Sequence, residues 1–99
     1  MTYRVVFTRQ ARDDLTRLYD FLDRRDPAAG ANARVAIRKA FGLLADFPFT
    51  CRKAAEERPF LRELVISFGR AGYVDLFEIS DEATVTVLAV RHQRERDYL

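Results

Sequence analysis

Tyr73-Val74-Asp75-Leu76-Phe77-Glu78-Ile79 and, one short turn later, Thr84-Val85-Thr86-Val87-Leu88-Ala89-Val90 decide the fold. The first stretch is rich in aromatic and β-branched residues. The second is dominated by β-branched residues, which suits a strand inside a sheet rather than at its rim. Ser80-Asp81-Glu82-Ala83 supplies the turn between them. Just upstream, residues 62–68 alternate and place Leu64, Ile66 and Phe68 on one side. They connect through Gly69-Arg70-Ala71-Gly72, so the second half of the chain reads as a meander of three strands. A polar connector of both charge signs, residues 49–59, precedes it.

The first half reads differently. Residues 3–8 alternate as one strand, with Tyr3, Val5 and Phe7 on one face. Thr8 is placed to cap the helix that follows, and Asp13 and Asp14 lie near its positive N-terminal end. Ala11, Leu15, Leu18, Tyr19 and Leu22 fall at helical spacing on one stripe, and Arg24-Arg25 suits the negative C-terminal end. Asp26-Pro27 signals a second start, with Asp26 as cap and Pro27 in the first turn. Ala33, Ile37, Ala40, Phe41 and Leu44 form the second stripe, and Phe47-Pro48 ends it. So short a connection predicts an antiparallel helical hairpin. The order β-α-α-β-β-β predicts an α+β fold, with the hairpin packed on one face of a mainly antiparallel four-stranded sheet.

Residues 1–99 read as one domain. A hydrophobic fraction of 48% is enough for a core, although a domain this short buries only about 60–65% of its unfolded surface. No apolar run approaches the roughly 18 residues that span a bilayer. Met1-Thr2-Tyr3-Arg4 leads into the strand pattern without an apolar leader. The single cysteine, Cys51, has no metal-ligand spacing around it and forms no intrachain disulfide, so the expected setting is a reducing cytoplasm without a metal or other cofactor.

Net charge is +2, yet of the 17 basic residues only Lys39 and Lys53 are lysines and the other 15 are arginines. Arginine's planar fork suits phosphate and carboxylate. The same excess also follows from codon usage in a GC-rich genome, and composition does not choose between the two. Arg52, Lys53, Arg58, Arg62 and Arg70 form a possible basic rim, diluted by Glu56, Glu57 and Glu63.

No phosphate loop, nucleophile elbow or His-Glu-x-x-His pattern occurs. Polar chemistry is densest in Arg91-His92-Gln93-Arg94-Glu95-Arg96-Asp97-Tyr98-Leu99. Its arginines with His92 and Tyr98 make a crude parts list for RNA cleavage, in which a histidine exchanges protons and arginines stabilise a charged phosphorus centre. Glu95 and Asp97 alternate with those arginines, so a solvated, charge-balanced terminus reads equally well.

Several motifs occur in a telling order. Pro59-Phe60-Leu61-Arg62-Glu63-Leu64 comes first, then Phe68-Gly69, Gly72-Tyr73-Val74 and Val87 through Glu95. Phe7-Thr8 leading to Ala11 with Asp14-Leu15, and Ala40 through Pro48, complete the pattern. Together they resemble the RelE/ParE toxin superfamily over nearly the whole chain. The resemblance implies a toxin neutralised by a cognate antitoxin of ParD/RelB kind, with which it forms a hetero-oligomer. RelE-like members cut messenger RNA on the ribosome, whereas ParE-like members poison DNA gyrase.

Related nucleases commonly carry an arginine directly after the Gly-Tyr pair, where this chain has Val74. They also tend to carry lysines on the preceding strand, where it reads Arg62-Glu63-Leu64-Val65-Ile66-Ser67. Loss of those cations removes charge stabilisation needed for RNA cleavage, and Arg91-His92-Gln93 looks closer to ParE-like toxins. Gyrase inhibition with growth arrest, in a plasmid-stabilisation type of system, is therefore the expected activity. The alternatives are a ribosome-dependent endoribonuclease, with His92, Arg94, Tyr98 and Arg62 as its catalytic candidates, and a non-toxic antitoxin-binding module. Target contact is expected at Arg91, His92, Arg94, Arg96 and Tyr98. Antitoxin contact is expected on an apolar surface lined by Leu18, Tyr19, Leu22, Phe41, Val74 and Leu76.

Overall fold

Thr8 is the joint between the first strand and the first helix. The computed structural model describes residues 2–68 and 71–92. It places β1 at Arg4–Phe7 and α1 at Arg9–Arg25. The Thr8 hydroxyl accepts from the Ala11 N–H at 3.1 Å, so the residue caps α1 as its type predicts. Arg24 and Arg25 close the last turn. Asp26 then caps α2, Pro27–Asp46, accepting from the Ala28 and Ala29 amides at 3.1 and 3.4 Å.

The two helices form the expected hairpin. Ala33, Ile37 and Leu44 of α2 are buried. Arg34 forks onto Asp23 of α1 with bonds of 3.0 and 2.7 Å, and its guanidinium lies 4.6 Å from the centre of the Tyr19 ring. A Cβ at Gly30 would collide with the Asp23 carboxylate, so glycine leaves room for this clamp. None of the described helices is long and apolar enough to cross a membrane.

A 3-10 turn at Pro48–Thr50 leads into the rest of the sheet: β2 Arg52–Ala55, β3 Arg58–Phe68, β4 Ala71–Asp81 and β5 Thr84–His92. Sheet order is β1-β5-β4-β3-β2. β1 runs parallel to β5 from Arg4↔Thr84 to Phe7↔Val87, and every other pair is antiparallel. The α+β class therefore holds with five strands rather than four. The additional strand, β2, lies in the connector whose polar sequence shows no alternation. β5 is interior, as its composition predicts, but the middle strand is β4.

Register fixes which side chains face the helices. Leu64 and Ile66 of β3, Tyr73, Phe77 and Ile79 of β4, and Val85, Val87 and Val90 of β5 share the core with Ala11, Leu15, Ile37 and Leu44. Phe7 meets Phe41 edge to face at 4.8 Å. The opposite, open face carries Leu61, Glu63 and Val65 of β3, Val74, Leu76 and Glu78 of β4, and Ala89 and Arg91 of β5.

β1 ends at Phe7, and beyond Val87 the outer edge of β5 has no strand beside it among the described residues. Leu76 pairs Ala89 while Phe77 pairs Val87, so Leu88 is an extra residue, a β-bulge. Side chains take over from β1 at this point. The Thr8 amide donates to the Val87 carbonyl at 3.0 Å, and its hydroxyl donates to the Leu88 carbonyl at 2.9 Å. Asp14 does not serve the N-terminal end of α1, whose first turn holds no acidic residue. It is buried, and its Oδ2 accepts from the Val90 N–H at 2.9 Å. Its Oδ1 accepts from Gln10 at 2.7 Å and Arg17 at 3.4 Å. Replacing Asp14 with alanine leaves the Val90 amide buried without its acceptor. We expect a loss of about 2–3 kcal/mol in urea unfolding, and a smaller loss for Asp14→Asn, which keeps one acceptor oxygen.

Candidate functional site

Adjacent residues of a strand point to opposite faces, and this separates Arg91 from His92 at the end of β5. His92 faces the helices. Its ring meets Tyr73 edge on, with centroids 5.5 Å apart, and burial pushes the Tyr73 hydroxyl up from its ordinary pKa. Both rings line a cavity of about 300 Å³ together with Asp14, Arg17, Leu18 and Phe21 of α1. Arg91 faces the open side, where its side chain is 13% exposed. One Nη lies 4.0 Å from a Glu63 oxygen, and the other donates to the His92 carbonyl at 3.1 Å. Glu63 also accepts from Arg52 Nε at 3.1 Å. Arg91 and His92 are thus half-buried strand residues whose side chains leave opposite faces of β5, while Arg91 also borders the cavity. Arg94, Arg96 and Tyr98 lie outside the described residues.

Arg62 is bonded to backbone carbonyls on both sides of β2. Its Nε donates to the Pro59 carbonyl at 2.7 Å. One Nη donates to the Phe49 carbonyl at 3.2 Å and the Cys51 carbonyl at 2.8 Å. The guanidinium also lies 5.3 Å from the centre of the Phe49 ring. It binds one backbone oxygen of β3 and two of the turn just before β2, and so ties that turn to β3. Burial raises the Cys51 thiol above its ordinary pKa, as befits a structural cysteine. The remaining rim is mixed: Arg52 pairs with Glu63, Arg58 lies 3.7 Å from Glu78 and Lys53 is exposed. Arg70 lies outside the described residues.

The six residues expected on one antitoxin surface are spread over several places. Leu18 lines the cavity beside His92. Tyr19 and Phe41 line a smaller hollow of about 220 Å³ between the helices, with Arg34, Ile37 and Arg38. Leu22 is half-buried on α1. Leu76 and Val74 lie on the open sheet face, where Val74 is 1% exposed and therefore cannot line an exposed patch. Their faces separate because the helices cover only one side of β4.

The apolar groups that do reach solvent were not singled out by the stripes. Phe21 is 53% exposed, with the Arg25 guanidinium 4.7 Å from its ring centre. It lies three residues after Leu18, at the margin of the α1 stripe, which is the signal that marks it. Phe49 and Phe60 meet edge on at 6.1 Å. With Tyr3, Ile79, Asp81 and Glu82 they line a hollow of about 340 Å³ at the other end of the sheet.

Residues 5–97 match the family described as the ParE toxin of the type II toxin–antitoxin system, parDE. The chain belongs to the ParE toxin family. Two curated relatives come from Caulobacter vibrioides. "Toxin RelE3" is 34% identical over 87 residues, covering 88% of this chain and 90% of the relative. "Toxin RelE1" is 30% identical over 96 residues, covering 97% and 99%. Among solved structures, a chain of the "Chromosomal ParDE TA system from P. aeruginosa" superposes with a TM-score of 0.68 at 18% identity. The match covers 92% of this chain and 96% of that one, and at this identity it speaks for the fold. The protein is accordingly a toxin of a type II toxin–antitoxin system, and an antitoxin is its partner.

In this ParE-family chain the carbonyl contacts of Arg62 bear on stability. Arg62→Ala should lower stability by about 1–2 kcal/mol through its lost carbonyl contacts. Hydrogen exchange should quicken at the β2 amides, while growth arrest per folded molecule stays unchanged. Loss of arrest in a variant that still melts like the wild type would make Arg62 a functional residue.

Proposed function

We propose that this toxin arrests growth in the cytoplasm by inhibiting DNA gyrase, and that its cognate antitoxin of ParD/RelB kind holds it in an inactive hetero-oligomer. One observation carries the reading. The position that holds an arginine in related nucleases is Val74, buried on the open face of the sheet. Val65 and Arg91 are its cross-strand neighbours. In the next row Glu63 lies between Arg52 and Arg91. A cleaved RNA phosphate needs cations aimed at the charge that develops on it. Here an apolar residue and a carboxylate stand in the middle of that face.

The names of the two curated relatives favour the second reading, ribosome-dependent messenger cleavage. Under that reading His92, Arg94, Tyr98 and Arg62 are the candidates, and Arg62 also binds connector carbonyls. Target contact under either reading is assigned to Arg91, His92, Arg94, Arg96 and Tyr98. Antitoxin contact is assigned to Leu18, Tyr19, Leu22, Phe41 and Leu76, with Phe21 added.

Supercoiling by purified gyrase should fall as the toxin is added, with cleaved DNA complexes accumulating. Ribosome-programmed extracts should show no new messenger ends. Messenger cleavage at the A site with unaffected supercoiling would reverse the order of the two readings. Deleting residues 94–99 should abolish growth arrest while thermal melting and antitoxin binding persist. Full toxicity of that deletion would remove Arg94, Arg96 and Tyr98 from the site.

A further inference from the structure

Asp75 occupies the middle of β4, paired across the sheet with Leu64 of β3 and Val90 of β5. Its side chain points toward the helices and is 0% exposed. No hydrogen-bond donor among the described residues reaches either carboxyl oxygen. A buried carboxylate with neither a counter-charge nor a donor is among the most costly groups a core can hold. Nothing in the assignment of target or antitoxin uses this residue.

The surroundings offer it little relief. From α1 it is faced by the Tyr19 hydroxyl, and from the segment before β2 by the Cys51 thiol. Its charge disfavours ionisation of both. The α2 cations Arg34 and Arg38 act on Tyr19, while Arg34 is forked onto Asp23. Arg62 of β3 acts on Cys51 and is bound to the connector carbonyls. On β5 its neighbour Val90 is apolar, and His92 lies two residues further, against Tyr73.

We propose that Asp75 is a built-in destabiliser of the contact between the helical hairpin and the sheet, so that the free toxin is firmest when this carboxyl holds its proton and loosens when it ionises. Desolvation lifts the group from 3.8 to about 7. The sign follows from linkage. Between these two values the folded chain keeps the proton while the unfolded chain releases it, so stability falls as pH rises from about 4 to about 7 and is level above that. Near neutrality the carboxyl is therefore divided between its two forms. A partner seated on the hairpin offsets the penalty by binding the folded state alone.

Thermal unfolding of the full chain, Asp75→Val and Asp75→Asn from pH 4 to 8.5 at constant ionic strength tests this. At pH 4 the valine variant should melt close to the wild type. The gap should open toward pH 7 and then stay level, with the variant higher by on the order of 10 °C. Asn should follow the same course with a smaller gap, and it serves if the valine variant does not fold. A gap independent of pH, or a wild type that melts higher at pH 8, overturns the proposal. The carbon-13 resonance of the Asp75 carboxyl in the wild type gives a reading free of any substitution. A midpoint near 7 supports the proposal, and one in the ordinary carboxylate range overturns it.

Discussion

The bond from the Val90 amide to Asp14 is the constraint on which the rest of the architecture turns. A parallel edge strand of four residues covers only the first part of β5. Past Val87 the chain has already turned into α1, and a buried, unpaired strand edge would be costly. Thr8 and Asp14 finish the ladder with side-chain oxygens, at the bulge where β5 changes register. The same two residues thereby fix where α1 lies on the sheet. They also fix the direction in which β5 delivers Arg91 and His92, one to each face.

This arrangement divides the molecule into two chemically unlike sides. The helical side presents an aromatic cavity bordered by Arg17 and Phe21, with His92 at its floor. The other side carries Val65 and Leu76 beside the Arg52–Glu63–Arg91 group, with Val74 buried between them. A family of toxins that shares one fold but acts on different targets must differ in what these surfaces carry, since the scaffold itself is common to them. Among the described residues, this face lacks the pattern of cations that phosphate chemistry asks for. That physical difference separates the gyrase-directed reading from the nuclease one.

Much of the scaffold was legible because it rests on periodicity. The 3.6-residue stripes of α1 and α2, the Asp26-Pro27 start and the alternating strands of the meander all appear where their spacing puts them. β2 was not legible. Its Arg-Lys-Ala-Ala sequence has no alternation, and it is a strand because it pairs with β3, next to carbonyls that Arg62 binds at its start. The site was legible only in part. Position in sequence put Arg91 and His92 in one functional tail, but strand geometry sends them to opposite faces. Val74 and Tyr19 looked alike as apolar surface candidates, yet only the three-dimensional layering shows that one is buried on the open face and the other stacks under Arg34. Asp14 and Asp75 look like ordinary strand and helix carboxylates in sequence. Burial gives them opposite fates: Asp14 has three donors, and Asp75 has none among the described residues.

The central claim is that the open sheet face is not built to grip messenger RNA on the ribosome and that the toxin's target is gyrase. Direct binding tests it most simply. The purified chain, freed of antitoxin, is titrated at physiological salt against gyrase and, in parallel, against messenger-programmed ribosomes with a vacant A site, and the bound fraction is measured by sedimentation. The account predicts saturable binding to gyrase and only salt-sensitive, non-saturating association with ribosomes. Saturable, A-site-dependent binding to ribosomes with none to gyrase would contradict it.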